Sequence, residues 1–226
     1  MQYEQVKAEL QKLGDKRAVA VWQKMGMDTV NYWGVGLTNL KNFSKKIKKN
    51  HQLAEQLRKS GIHDALLLSF MIDEPQKISK LQAKNILKLI NFRDSADNFC
   101  SCILVNTPYV FELIDEWKDS SKEMTKRCAY ISVSELAKNS KKIEENYFIE
   151  FLVRIEKEIG YSKNWVREAM LYALINIGNR SNSLRVKAID VAGKIGRVEI
   201  DYGETSCKAP DPIKHLSKEK LRSSAK

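Results

Sequence analysis

Apolar residues recur at three- and four-residue steps along almost the whole chain, the period of an amphipathic helix. Met1 to Leu13 and Asp15 to Met25 predict two short helices parted at Gly14. Thr38 is placed to cap Asn39 to Lys49, where Leu40, Phe43 and Ile47 share one face. His51 to Lys59 predicts another helix, stopped by Gly61. His63 to Ile72 has no continuous polar stripe, since Ala65, Leu66, Leu67, Leu68, Phe70 and Met71 cover every side; this is the pattern of a buried central helix, broken near Pro75. Helices are predicted next at Ile78–Ile90, Ser95–Val105, Pro108–Lys118 and Lys122–Ala137, then at Glu144–Ile159, Asn164–Ile177 and Ser183–Ile195. Thr107 and Pro108 supply a cap and a first-turn proline for one of them.

Helix pairs recur about every 35 to 45 residues, a spacing of helical repeats. Each pair joins a more apolar helix to a more polar one, so the faces are buried only by stacking. This predicts an all-α, HEAT-like helical-repeat solenoid as a single domain over residues 1–196, with residues 197–226 as a C-terminal extension. Within the extension, Arg197 to Tyr202 alternates like a short strand or hairpin-like segment before Gly203. Beyond Pro210 and Pro212 a loosely held, lysine-rich tail is expected.

Composition then narrows the function. A chain of 226 residues can bury a sizeable core, and only 4 prolines and 10 glycines leave little turn chemistry for a sandwich or barrel. No apolar run approaches the ~18 to 20 residues that span a bilayer, and the first residues lack the pattern of a signal peptide. A cytoplasmic protein is expected, a monomer with no membrane contact. Cys100, Cys102, Cys128 and Cys207 lack metal-ligand spacing, and His51, His63 and His215 are scattered, so no metal and no cofactor are expected. A phosphate-binding loop, a dinucleotide fingerprint and a nucleophile elbow are all missing, which removes those enzyme classes.

The formal net charge is +11, from 39 Lys and Arg against 28 Asp and Glu, and suits a polyanionic partner. No basic amphipathic helix with exposed aromatics stands out to favour a membrane surface. Lys41, Lys45, Lys46, Lys126, Lys163, Arg167, Arg180 and Arg185 lie on successive helices, where repeat stacking would bring cations to one groove along a duplex DNA backbone. Each also reads as an ordinary surface cation.

Tyr32-Trp33-Gly34-Val35, Leu40-Lys41, His51-Gln52-Leu53-Ala54, Ser60-Gly61-Ile62-His63-Asp64 and Met71-Ile72-Asp73-Glu74-Pro75 resemble the N-terminal half of the AlkD-like DNA alkylation repair proteins, which are HEAT-like-repeat DNA glycosylases. The resemblance continues through Asp94 to Asp97, Asn106-Thr107-Pro108, Lys126-Arg127-Cys128-Ala129, Asn164 to Ala169, Tyr172-Ala173-Leu174 and Ile177-Gly178. It covers about Asp28 to Ala192. It implies release of cationic alkylated purines, of the 3-methyladenine or 7-methylguanine type, from duplex DNA. The catalytic aspartate of the family falls on Asp97, its arginine on Arg127 and a lesion-facing aromatic on Tyr172. A tryptophan of the family one helical turn before the aspartate is replaced by Arg93.

The chemistry follows from charge. A cationic purine is already a good leaving group and needs no general acid. Cleavage builds positive charge on the deoxyribose, which a fixed Asp97 carboxylate would stabilise while orienting water. Arg93 would repel a cationic base, contact DNA, or pair with Asp97 at i,i+4. Arg127 would hold a phosphate. The plainer readings are that Asp94 and Asp97 answer a helix dipole, that Arg127 is solvated or ion-paired, and that Tyr172 packs in the core. Tyr32 and Trp33 either touch the DNA backbone or cap the first repeat. The rival functions are a non-catalytic relative recognising DNA shape or branched DNA, and a protein-interaction scaffold.

Overall fold

The computed structural model describes residues 1–28 and 30–217, and among them every regular element is helical. The described residues form two compact units: one from Met1–Thr107 with Tyr202–Ser206, the other from Pro108–Asp201 with residues 207–217.

The first unit holds α1 (Tyr3–Lys12), α2 (Lys16–Lys24), α3 (Leu37–Ile47), α4 (His51–Arg58), α5 (His63–Ile72), α6 (Lys80–Leu87) and α7 (Arg93–Cys102). Helix α5 is the centre, buried at every residue except Met71, with α1, α3, α4 and α7 packed on it. Val6, Leu10, Leu40, Phe43, Leu53, Leu57 and Leu68 meet there in one cluster. Each fully buried Leu or Phe contributes about 1.5–3 kcal/mol. Polar caps mark several starts: Asp15 accepts from Arg17 N–H, Asn50 from Leu53 N–H, and Ser79 forms a capping box with Gln82.

Two predicted caps fall elsewhere. Helix α3 begins after an extended Gly36, with Thr38 inside its first turn. The buried Asp64 carboxylate accepts the N–H groups of Trp33 and Val35, both at 2.7 Å, and Gly34 takes φ +85°, so the preceding loop is already pinned. Thr107 donates its hydroxyl to Leu104 O at 2.7 Å, closing the 3-10 turn Leu104–Asn106 and not capping the next helix.

The second unit holds α8 (Val110–Trp117), α9 (Glu123–Asn139), α10 (Glu145–Glu158), α11 (Asn164–Gly178), α12 (Asn182–Ile195) and α13 (Pro212–Leu216). Its core is α9 against α11, with α12 on α11 and α10 on α12. Arg127 meets Glu168 near one end of the α9/α11 pair and Asn176 donates to Ser134 Oγ at 2.8 Å farther along, so the two helices run parallel.

Two expectations for the C-terminal extension are corrected. Residues 197–202 form no strand, because no neighbouring strand pairs with them; the Asn164 side chain takes over, accepting from Asp201 N–H and donating to Asp201 O, each at 2.7 Å. The chain after Pro210 is also not loose throughout, since α13 buries Pro212 and Leu216 against α11 and α12. The rest of the expected basic tail, residues 218–226, lies outside the described residues.

Candidate functional site

In the first unit the acidic pair opens α7. Asp94 accepts from Ser95 N–H at 2.6 Å, and its other oxygen lies 2.9 Å from Nε2 of His63. Asn98 donates back to Asp94 O at 2.9 Å, so the first turn of the helix is tied on three sides. His63 is buried at the start of α5, its ring stacked on Tyr32 at 4.1 Å with an interplanar angle of 15°. Trp22 stands edge-on to both rings. Burial above all, and then the Asp94 carboxylate, push the Tyr32 phenol well up, so it stays a neutral hydrogen-bonding group.

Asp97 lies one turn further along α7 and is half-buried. Arg93 is also half-buried, and its guanidinium sits 5.6 Å from the centre of the buried Tyr202 ring, a cation–π distance. Tyr202 reaches this place because its short segment returns to the first unit, where Glu204 N–H donates to Lys24 O at 2.9 Å. Lys41, Lys45 and Lys46 are exposed on α3, on the side away from the buried Leu40 and Phe43.

The second unit places its predicted residues differently. Arg127 is fully buried, ion-paired at 2.9 Å with an equally buried Glu168 on α11, and its Nη1 donates to Trp165 O at 2.6 Å. Trp165 N–H in turn donates to Glu123 at 2.7 Å. These contacts match the plainer expectation for Arg127, an ion-paired helix residue, and the guanidinium is engaged inside the α9/α11 interface. Tyr172, on α11, is half-buried.

Several candidate DNA-binding cations are also engaged. Lys126 pairs with Glu158 at 2.8 Å. Lys163 is exposed and donates to Ser121 O at 3.0 Å. Arg180 donates to the carbonyls of Ala137, Ser140 and Ile143 and lies 4.7 Å over the Phe148 ring. Arg180 is thus a clamp on backbone, not a free cation. Arg167 and Arg185 are half-buried.

Sequence reasoning missed the His63–Asp94 pair and the Tyr32 stack. Its one available signal was that His63 and Asp64 open a helix that is otherwise almost wholly apolar, where polar residues need partners. Among the described residues no group of three or more His, Cys, Asp or Glu could hold a metal ion, and no helix is long and apolar enough to cross a membrane.

A family model for DNA alkylation repair enzymes matches residues 6–208. An uncharacterised protein of Listeria innocua is 26% identical over 226 residues, covering 97% of this chain and 98% of the relative. One from Listeria monocytogenes is also 26% identical, with the same shares of 97% and 98%. A solved structure, described as a new family of proteins related to the HEAT-like repeat DNA glycosylases with affinity for branched DNA structures, matches with a TM-score of 0.87. It is 23% identical and the match covers 97% of this chain and 94% of the other. That likeness shows the fold, all-α and HEAT-like.

Proposed function

The chain belongs to the family of DNA alkylation repair enzymes, and from that membership we propose that it binds duplex DNA and releases cationic alkylated purines, with Asp97 as the catalytic carboxylate. The observation that carries this reading is the half-exposed Asp97 on a helix whose first turn is tied down by His63, Ser95 and Asn98. Those bonds hold Asp94 and the backbone that carries Asp97, and a carboxylate on a fixed backbone needs less reorganisation as positive charge grows on the sugar. Arg127 ties α9 to α11 within the second unit, and Tyr172 is the candidate aromatic facing the lesion. Exposed Lys41, Lys45, Lys46 and Lys163 are the first choices for phosphate contacts.

The test is release of methylated purines from alkylated duplex DNA. Asp97→Asn is expected to lower release on the order of 100-fold while leaving DNA affinity within twofold. Undiminished release by the variant would remove Asp97 from the chemistry. Binding itself is expected to weaken steeply with salt, with a log–log slope near −0.9 for each phosphate contacted. Duplex affinity that is flat between low and moderate salt would rule out backbone recognition.

A second reading is a non-catalytic DNA binder that recognises shape or branches. Arg93 favours it, because a guanidinium stands where the AlkD-like proteins carry a tryptophan, and a cation there repels both a cationic base and an oxocarbenium-like sugar. The affinity for branched DNA ascribed to the structurally similar family points the same way. No release from alkylated DNA by the wild-type protein, with salt-sensitive DNA binding intact, would select this reading.

A further inference from the structure

In the first unit a cavity of about 150 Å³ opens beside the Tyr32–His63 stack, at the start of α5. Ile62, Leu66 and Leu89 supply apolar lining, and Arg58, His63 and Asn91 supply polar lining. All of these residues belong to the same compact unit. Asp97 is not among the lining residues, nor are the exposed lysines of α3, so the function proposed above makes no use of this cavity.

Two of the polar groups are held with part of their bonding capacity unused. His63 is only 5% exposed, and its Nε2 lies 2.9 Å from the Asp94 carboxylate. A carboxylate accepts, so Nε2 carries the proton, and Nδ1 of the neutral ring is left as a lone-pair acceptor. No hydrogen bond among the described residues uses that Nδ1, although a buried polar atom ordinarily has a partner. Arg58 is fixed through Nη1 to the buried Asp73, which also neutralises its charge. Among the described residues its guanidinium makes no other hydrogen bond, so the rest of the fork is a set of donors without a protein partner. The one carboxylate lining the cavity, the exposed Asp28, disfavours an anion there.

These groups define the ligand. A space of about 150 Å³ takes one six-membered ring, and apolar side chains suit the faces of a flat one. The edge of that ring must donate an N–H to the His63 acceptor and offer a carbonyl to the Arg58 donors. A ring N–H beside a carbonyl is the pairing edge of a pyrimidine-2,4-dione, the base of thymine and uracil. Cytosine carries a bare ring nitrogen at that place, which would meet Nδ1 acceptor to acceptor. We propose that the cavity binds a single pyrimidine-2,4-dione ring, as the free base or as an unpaired thymine of DNA, with His63 Nδ1 accepting its N–H and Arg58 donating to its carbonyl. Binding of the free base requires neither Asp97 nor DNA.

The experiment titrates the full-length protein with 1-methyluracil, 1,3-dimethyluracil and 1-methylcytosine, read by calorimetry and by the nitrogen-15 signal of His63 Nδ1. In all three the 1-methyl group stands where the sugar would be, so they differ at the pairing edge. 1-Methyluracil is expected to bind with a Kd on the order of 1 mM and to shift the Nδ1 signal. The other two are expected to bind at least about tenfold more weakly, since each leaves the buried acceptor unpaired. Leu89→Trp, at a wall position that is 45% exposed, fills the space and is expected to weaken 1-methyluracil by a similar factor, with thermal melts checking the fold. Duplexes carrying one unpaired thymine or one unpaired cytosine separate the two sources. A preference of about fivefold or more for the thymine, lost in Leu89→Trp, assigns the ring to DNA; binding of 1-methyluracil without that preference assigns it to the free base. Equal binding of the three compounds would overturn the proposal, as would 1-methyluracil binding undiminished in Leu89→Trp. So would the absence of both 1-methyluracil binding and a thymine preference. Purine release from alkylated DNA tests Asp97 and not this cavity, so the two readings fail separately.

Discussion

Arg127 and Glu168 are the most consequential single residues in the second unit, and for packing reasons. Both are completely buried, so removing one leaves an uncompensated charge in the core. Arg127→Ala is expected to destabilise the protein by about 3–5 kcal/mol, read from urea unfolding. Adding Glu168→Ala should cost less than the sum of the single changes, because the second substitution removes the stranded charge. Additive losses would mean the pair is not coupled. Asp97 is the opposite case: it is half-exposed, so Asp97→Asn tests chemistry with little effect on folding. Both residues had matched the family pattern equally well, and a spacing pattern does not distinguish a buried guanidinium from one facing DNA. Only Glu168, 41 positions along the chain on a neighbouring helix, makes that distinction.

At the scale of elements, α5 and the α9/α11 pair organise the two units, and short segments are tied to them by close contacts. Gly178 on α11 is one such contact: a Cβ there would lie 2.6 Å from a Leu216 methyl and 2.8 Å from the Ala188 Cβ. Gly178→Ala is therefore expected to displace α13 and destabilise by about 1–3 kcal/mol, measured by thermal melting. Pairing it with Leu216→Ala should recover part of the loss, since the flexible leucine is the nearest clash. No recovery would place the strain at Ala188 on α12. The helix order, the break at Pro75 and the buried character of α5 were all readable from apolar periodicity, because that period reports which face meets a core. The strand expected at residues 197–202 fails for the same physical reason: alternation allows a strand, but a partner strand must satisfy its backbone, and a side chain of Asn164 does so in its place.

At the scale of the whole molecule, Tyr32, Tyr130 and Tyr147 are held neutral by their surroundings. Burial comes first in each case, and then Asp94 raises Tyr32, Glu158 raises Tyr130 and Asp115 raises Tyr147. Each folded-state pKa lies above the ordinary value of 10.0, so the folded chain keeps these protons longer than the unfolded chain does. Their contribution to stability is complete below pH 10.0 and is lost as pH rises through the higher folded values. The melting temperature is expected to fall steadily above about pH 10, with these three phenols absorbing as tyrosinate only on unfolding. Full tyrosinate absorbance in a still-folded protein would contradict that. The periodic apolar faces, the helix-pair spacing and the excess of 39 basic over 28 acidic residues carried the all-α, HEAT-like fold and the polyanionic partner, because periodicity and charge survive in one dimension. Which cations are free was settled in three dimensions. Arg127 is spent on a core carboxylate, Arg180 on loop carbonyls and Lys126 on Glu158, while Lys141 and Lys142 remain exposed without an ion pair among the described residues. A side chain's partner depends on what the fold brings within about 3 Å of it, and residues that close in space can lie anywhere along the chain.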